Sequence, residues 1–118
     1  MNTQTILIVD DSRTSRLLVS TILSNFSPEA ELLEASDAEH ALLLVKGEQI
    51  DIAIVDFNMP GMNGLDLIKR LQQIYPQAKL CLLSGDTQAS LIKRVETQGF
   101  YFIPKPITID CLADFLKN

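Results

Sequence analysis

Basic residues are in the minority in this chain. Ten lysines and arginines face 15 aspartates and glutamates, for a formal charge of −5 and a pI near 4.7. Phosphate contacts with nucleic acid need a basic patch, so no direct nucleic-acid binding by this segment's own surface is expected. Long apolar runs are missing as well. No stretch approaches the ~18 residues of a membrane span. The start, Met1-Asn2-Thr3-Gln4, has no positive region and no leader pattern, so a cytoplasmic protein is expected. Cysteine occurs only at Cys81 and Cys111, with no CxxC spacing. That pattern reads as two reduced thiols, with Cys81, inside an apolar run, as a small core residue. Histidine occurs once, at His40 within a predicted helix, and is expected at the surface rather than on a metal. No repeat, low-complexity tract or linker divides the 118 residues. A composition of 47% hydrophobic and 21% charged residues suits one domain, taken as 1–118, with one core.

Short apolar runs alternate with longer amphipathic ones. Thr5–Val9 is continuously apolar after its first residue, as in a strand buried on both faces. Ser12–Leu23 follows as a helix with Leu18, Val19, Ile22 and Leu23 on one face. Ala30–Ala35 predicts a second strand. Ser36 with Glu39 makes a capping box for a second helix, buried through Ala38, Ala41, Leu42 and Val45 and ended by Gly47. Ile52–Val55 is a third strand and Phe57–Asn63 a turn-rich loop. Gly64–Tyr75 is a helix with Leu67, Ile68 and Leu71 inward, stopped by Pro76. Lys79–Leu83, then Gln88–Thr97 ended by Gly99, then Phe100–Ile103 give strand, helix, strand. Thr108 caps a last helix through Lys117, with Ile109, Leu112 and Leu116 at helical spacing. Five strand-then-helix units predict an α/β protein with a doubly wound parallel sheet. Pro104 cannot donate to a ladder, which puts the fifth strand at an edge. The order 2-1-3-4-5 satisfies this and sets strands one and three side by side.

Charged residues then stand at strand ends. Asp10 and Asp11 follow the first strand, Asp56 the third and Lys105 the fifth. In an open α/β sheet the carboxyl edge is where ligands bind. Three carboxylates and one ammonium would converge there, −3 and +1, leaving −2. Three carboxylates are an oxygen-donor set for a hard divalent cation, Mg²⁺ above all, and one such ion would bring the sum to zero.

Four pieces in this order, each at a strand end, carry a resemblance. They are Asp10-Asp11, Asp56-Phe57-Asn58-Met59-Pro60-Gly61-Met62-Asn63-Gly64, Ser84-Gly85 and Lys105-Pro106. Over nearly its whole length the chain resembles a receiver domain of the two-component response regulators, the CheY-like domains of flavodoxin-like fold. The resemblance implies that Asp56 is the phosphoacceptor and takes its phosphoryl group from a phosphohistidine on a partner histidine kinase or phosphotransfer protein. It implies that Asp11 holds Mg²⁺ directly, Asp10 through a water, and Asn58 through its backbone carbonyl. Lys105 would pair with the acids and then with the phosphoryl group, after a cis bond to Pro106. Ser84 takes the position of a hydroxyl residue that is more often threonine. Ser84 and Phe102 would form the switch, and output would leave through the fourth helix, fifth strand and fifth helix, toward an effector domain or a second copy. The implied role is regulatory, not enzymatic.

Two departures accompany the match. Phe102 stands where the family also uses tyrosine, and Tyr101 beside it is expected on the opposite face. The stretch from Gly99 to Lys105 is one residue shorter than the commonest spacing. Arg16 is expected to be solvated, with Arg13 open to a kinase partner. One alternative is a binding module on a degenerate receiver fold, which loss of an acid or the lysine would have signalled. Another is a haloacid-dehalogenase-type phosphohydrolase, for which Asp56-Phe57-Asn58 lacks the second acid. The chain is open to being a stand-alone regulator or part of a longer regulator or hybrid kinase.

Overall fold

Strands β1 (Thr5–Val9), β2 (Glu31–Ala35), β3 (Ile52–Asp56), β4 (Lys79–Ser84) and β5 (Tyr101–Pro104) alternate with helices α1 (Arg13–Phe26), α2 (Ala38–Leu44), α3 (Gly64–Ile74), α4 (Ala89–Thr97) and α5 (Ile109–Lys117). In this computed structural model residues 3–117 are described. Met1, Asn2 and Asn118, the ends of the expected 1–118 domain, lie outside the described residues. All pairings are parallel and the order is β2-β1-β3-β4-β5, with β5 at an edge as Pro104 requires.

Strand alternation divides the core into two clusters. Leu7, Val9, Ala53, Val55, Leu80 and Leu82 pack with residues of α2, α3 and α4. Ile6, Ile8, Ile52, Ile54, Cys81 and Leu83 pack with Val19, Ile22 and Leu23 of α1 and Leu112 and Phe115 of α5. The central strands are buried on both faces, which is why they read as continuous apolar runs. Cys81 is buried, which pushes its thiol far above the usual range. His40 is exposed.

Three expectations about helices need correction. Asp37, not Ser36, caps α2: its carboxylate accepts from the His40 amide at 2.7 Å. A carboxylate is a charge-assisted acceptor and displaces the Ser36–Glu39 box. Leu18 is 44% exposed, because it lies ~100° around the helix from Val19, which faces the sheet. Ile109 is 59% exposed at the start of α5, and the buried positions are Leu112, Ala113 and Phe115. Strand ends shift by a residue: β3 takes in Asp56, β4 Ser84 and β5 Pro104. Helix α2 ends at Leu44, and the chain then turns through Gly47 at φ 78°.

Candidate functional site

The carboxyl ends of β1, β3, β4 and β5 meet at one edge. Val9 pairs with both Ala35 and Val55, so Asp10 leaves the sheet beside Asp56. The Asp10 amide donates to the Ala35 carbonyl at 3.1 Å, extending the ladder one step. Its Oδ1 accepts from the Ser12 amide at 2.9 Å. Ser12 in turn caps α1, accepting from the Ser15 amide at 3.2 Å. Asp10 is thereby buried, whereas Asp11, one residue on, is exposed.

Asp56 is the last residue of β3, paired with Leu83 and only 4% exposed. The chain leaves it through Phe57, whose amide donates to the Leu83 carbonyl at 2.8 Å and whose carbonyl accepts from the Gly64 amide at 2.9 Å. This folds the β3–α3 loop back on itself. A Cβ at Gly64 would lie 2.1 Å from the Asp56 carbonyl oxygen. Only glycine lets the start of α3 come this close. Asn63 caps that helix by accepting from the Asp66 amide at 2.9 Å.

Lys105 joins the acids. Its amide donates to the Ser84 carbonyl at 2.9 Å, and the bond to Pro106 is cis. Its Nζ lies 3.1 Å from Asp10 Oδ2 and 3.0 Å from Asp56 Oδ1. Burial raises the Asp56 pKa. The Lys105 hydrogen bond pulls it down, and repulsion from Asp10 and Asp11 adds to the rise. For Lys105, burial opposes the charged form, but hydrogen bonds to Asp56 and Asp10 outweigh it and the pKa is raised.

Asp10, Asp11 and Asp56 can each bring one carboxylate oxygen within 4.8 Å of the others. Three anionic oxygens at this spacing, two of them on buried residues, fit a small hard cation. The convergence expected from the sequence is therefore present. Asn58 is exposed in the β3–α3 loop two residues past Asp56. Ser84 is buried, and its Oγ accepts from the Asp86 amide at 2.9 Å. Gly85 is exposed and has open space where a side chain would begin. Phe102 packs on the α2–α3–α4 side of the sheet. Tyr101 lies on the other side, edge to face with Phe115 at 5.1 Å between ring centres.

Arg16 is not the solvated charge that the sequence suggested. Its Nη1 donates to the Asp10 carbonyl at 2.6 Å and its Nε pairs with Glu34 Oε1 at 3.3 Å. The available signal was Glu34, a lone charge between Leu33 and Ala35 on the strand beside β1. Arg13 is exposed.

Comparison with known proteins places this arrangement among relatives. The family model for the response regulator receiver domain matches residues 6–117. The chain is 32% identical over 117 residues to a chemotaxis protein CheY homolog of Campylobacter jejuni, covering 96% of this chain and 89% of that protein. It is 31% identical over 114 residues to the autoinducer 1 sensor kinase/phosphatase LuxN of Vibrio campbellii. That match covers 97% of this chain but only 13% of LuxN's length. Among solved structures, the chemotaxis response regulator CheY4 of Vibrio cholerae superposes with a TM-score of 0.83 at 28% identity, covering 98% of each chain. The receiver domain of the hybrid histidine kinase CckA superposes with a TM-score of 0.76 at 32% identity, covering 96% of this chain and 95% of that one.

Proposed function

The chain belongs to the response regulator receiver family of two-component systems, and on that premise we propose that Asp56 accepts a phosphoryl group from a phosphohistidine on a histidine kinase or phosphotransfer protein. One observation carries the reading: a single ammonium, Lys105 Nζ, bridges Asp10 and Asp56 at the sheet edge where the three carboxylates cluster. An anionic phosphoryl group arriving there meets a cation already aimed at it.

Asp56 is the nucleophile. One carboxylate oxygen bonds to phosphorus while the phosphorus–nitrogen bond to the donor imidazole breaks, and the imidazole nitrogen leaves with the electron pair. The product is an acyl phosphate. Lys105 carries its charge from the acids to the phosphoryl oxygens, and the Ser84 hydroxyl donates to one of them. The open space at Gly85 leaves room for the donor. Asp10, Asp11 and Asp56, with the Asn58 carbonyl, are the residues that would hold Mg²⁺. When bound, the ion supplies positive charge opposite the phosphoryl oxygens. The added charge of about −1.5 to −2 draws Ser84 inward and biases Phe102, and output leaves through α4, β5 and α5 to an effector domain or a second copy. The domain is taken as 1–118, regulatory rather than enzymatic, and cytoplasmic. Among the described residues no helix is long and apolar enough to cross a membrane.

Phosphoramidate or acetyl phosphate with Mg²⁺ should give a base-labile phosphate adduct on the protein, absent from Asp56→Asn. Equal labelling of that variant would remove Asp56 as the acceptor.

A further inference from the structure

The geometry points to Arg16 as a positioning residue for the acid pair: it clamps the peptide joining Asp10 to Asp11 and braces that clamp on Glu34 of β2. The inference rests on the reading of Asp10 and Asp11 as Mg²⁺-holding residues.

The Asp10 carbonyl and the Asp11 amide share one rigid plane. A hydrogen bond to that carbonyl therefore fixes the rotation of the plane and the direction in which Asp11 leaves the chain. Arg16 Nη1 makes this bond at 2.6 Å. The other hydrogen-bonding groups of Asp10 are held by Ala35, Ser12 and Lys105. Asp11, by contrast, is exposed. The Asp11 carboxylate thus depends for its placement on the peptide that Arg16 holds.

Arg16 is itself fixed. Its amide bonds the Ser12 carbonyl at 3.0 Å, so it sits in the first turn of α1. A cation there opposes the helix dipole, and the contacts of its guanidinium offset that placement. Its side chain is 18% exposed, far from a free surface arginine. Glu34 supplies the brace through Nε at 3.3 Å, and Glu34 pairs in register with Ile8, two residues before Asp10. The guanidinium thus ties the Asp10–Asp11 peptide to β2. Its planar fork reaches a carbonyl and a carboxylate at once, which an ammonium cannot do with the same geometry.

The test is Mg²⁺ affinity measured by titration calorimetry on the whole chain, beside hydrogen exchange in metal-free protein. Groups that orient metal ligands typically contribute about 10- to 100-fold in affinity. Arg16→Gln should weaken Mg²⁺ about tenfold or more and speed exchange of the Ser12 amide, with β4 and β5 unchanged. Arg16→Lys should recover part of the affinity. Glu34→Gln, which leaves the carbonyl bond intact, should cost less than Arg16→Gln. The double variant should lose little more than Arg16→Gln alone, since the two act as one unit. Wild-type affinity in Arg16→Gln overturns the inference. So does a loss accompanied by faster exchange across the whole sheet, which marks general destabilisation. If wild-type protein takes no Mg²⁺, the metal reading fails first and this inference falls with it.

Discussion

Asp56 and Lys105 hold opposite charges in a partly buried place, and neither can be understood alone. Burial disfavours the Asp56 carboxylate, and the acids beside it add to the effect, so its folded pKa lies above its unfolded value despite Lys105. The folded state therefore binds this proton more tightly than the unfolded chain does. Stability from that proton is full below the unfolded value of about 3.9 and is lost as pH rises through the folded pKa. At neutral pH the ionised Asp56 weighs against folding. Asp56→Asn, without divalent cation, should accordingly be more stable than wild type at pH 7, with the gain shrinking toward pH 4. Urea unfolding at both values in a chelator checks this, and a gain independent of pH would contradict it. These site residues were legible in the sequence because each polar group ends an apolar run, so topology alone brought them together. Arg16 was legible only in part, through the lone charge of Glu34 on the neighbouring strand. The long arginine side chain reaches back across the helix start to a backbone carbonyl, and no periodicity records where such a chain ends.

At the scale of the element, local signals decided the end of α4 and the start of α5. Gly99 ends α4 at φ 85°, with its amide on the Glu96 carbonyl at 3.0 Å and the Phe100 amide on the Val95 carbonyl at 3.1 Å. That is the paired closure of a glycine-terminated helix. Thr108 supplies an acceptor for the Cys111 amide at 3.2 Å, as its position suggested. The start of α2 offered two capping residues in succession, Ser36 and Asp37, and pattern alone could not rank a hydroxyl against a carboxylate. Leu18 failed for a different reason: an apolar residue at the rim of a helical stripe is buried only if a neighbour covers it. The two glycines separate two costs. Gly99→Ala meets open space but needs a left-handed backbone, which costs about 1–2 kcal/mol. Gly64→Ala drives a methyl group into the Asp56 carbonyl and the Phe57 Cα. The loop must then move, at a further cost of the kind seen on overpacking, about 1–3 kcal/mol. Denaturant unfolding should rank both below wild type. Phosphorylation should separate them, with Gly64→Ala impaired at Asp56 and Gly99→Ala near normal. Equal labelling of the two would mean that the approach of α3 does not position the acceptor.

Across the whole molecule, strict alternation of strand and helix predicted a parallel sheet, Pro104 put the fifth strand at an edge, and the order 2-1-3-4-5 that satisfies both and joins the acids is the one observed. What alternation could not show is how the site connects to the far side of β5. The structure offers a route. The Ser84 hydroxyl accepts from the Asp86 amide at 2.9 Å, and the Asp86 carboxylate accepts from the Gln88 amide at 3.0 Å, where α4 begins. Gln88 itself gives that helix no side-chain cap. If Ser84 turns to a phosphoryl oxygen, the Asp86 amide loses this partner and the segment leading into α4 is less restrained. Phe102 pairs in register with Leu82, two residues before Ser84, so a shift of β4 reaches it directly. A coupling of ~1–3 kcal/mol would change affinity for an output partner about 5- to 150-fold. Beryllofluoride with Mg²⁺ should therefore alter hydrogen exchange across residues 88–104, beginning at the Asp86 and Gln88 amides. Ser84→Ala removes the hydroxyl that both states use. It should bind the mimic more weakly and show fast Asp86 exchange in either state, with no further change at 88–104. If the mimic binds wild type and exchange shifts only around Asp56, the path through Ser84 is absent, and the shortened stretch between Gly99 and Lys105 is the first place to look for the difference.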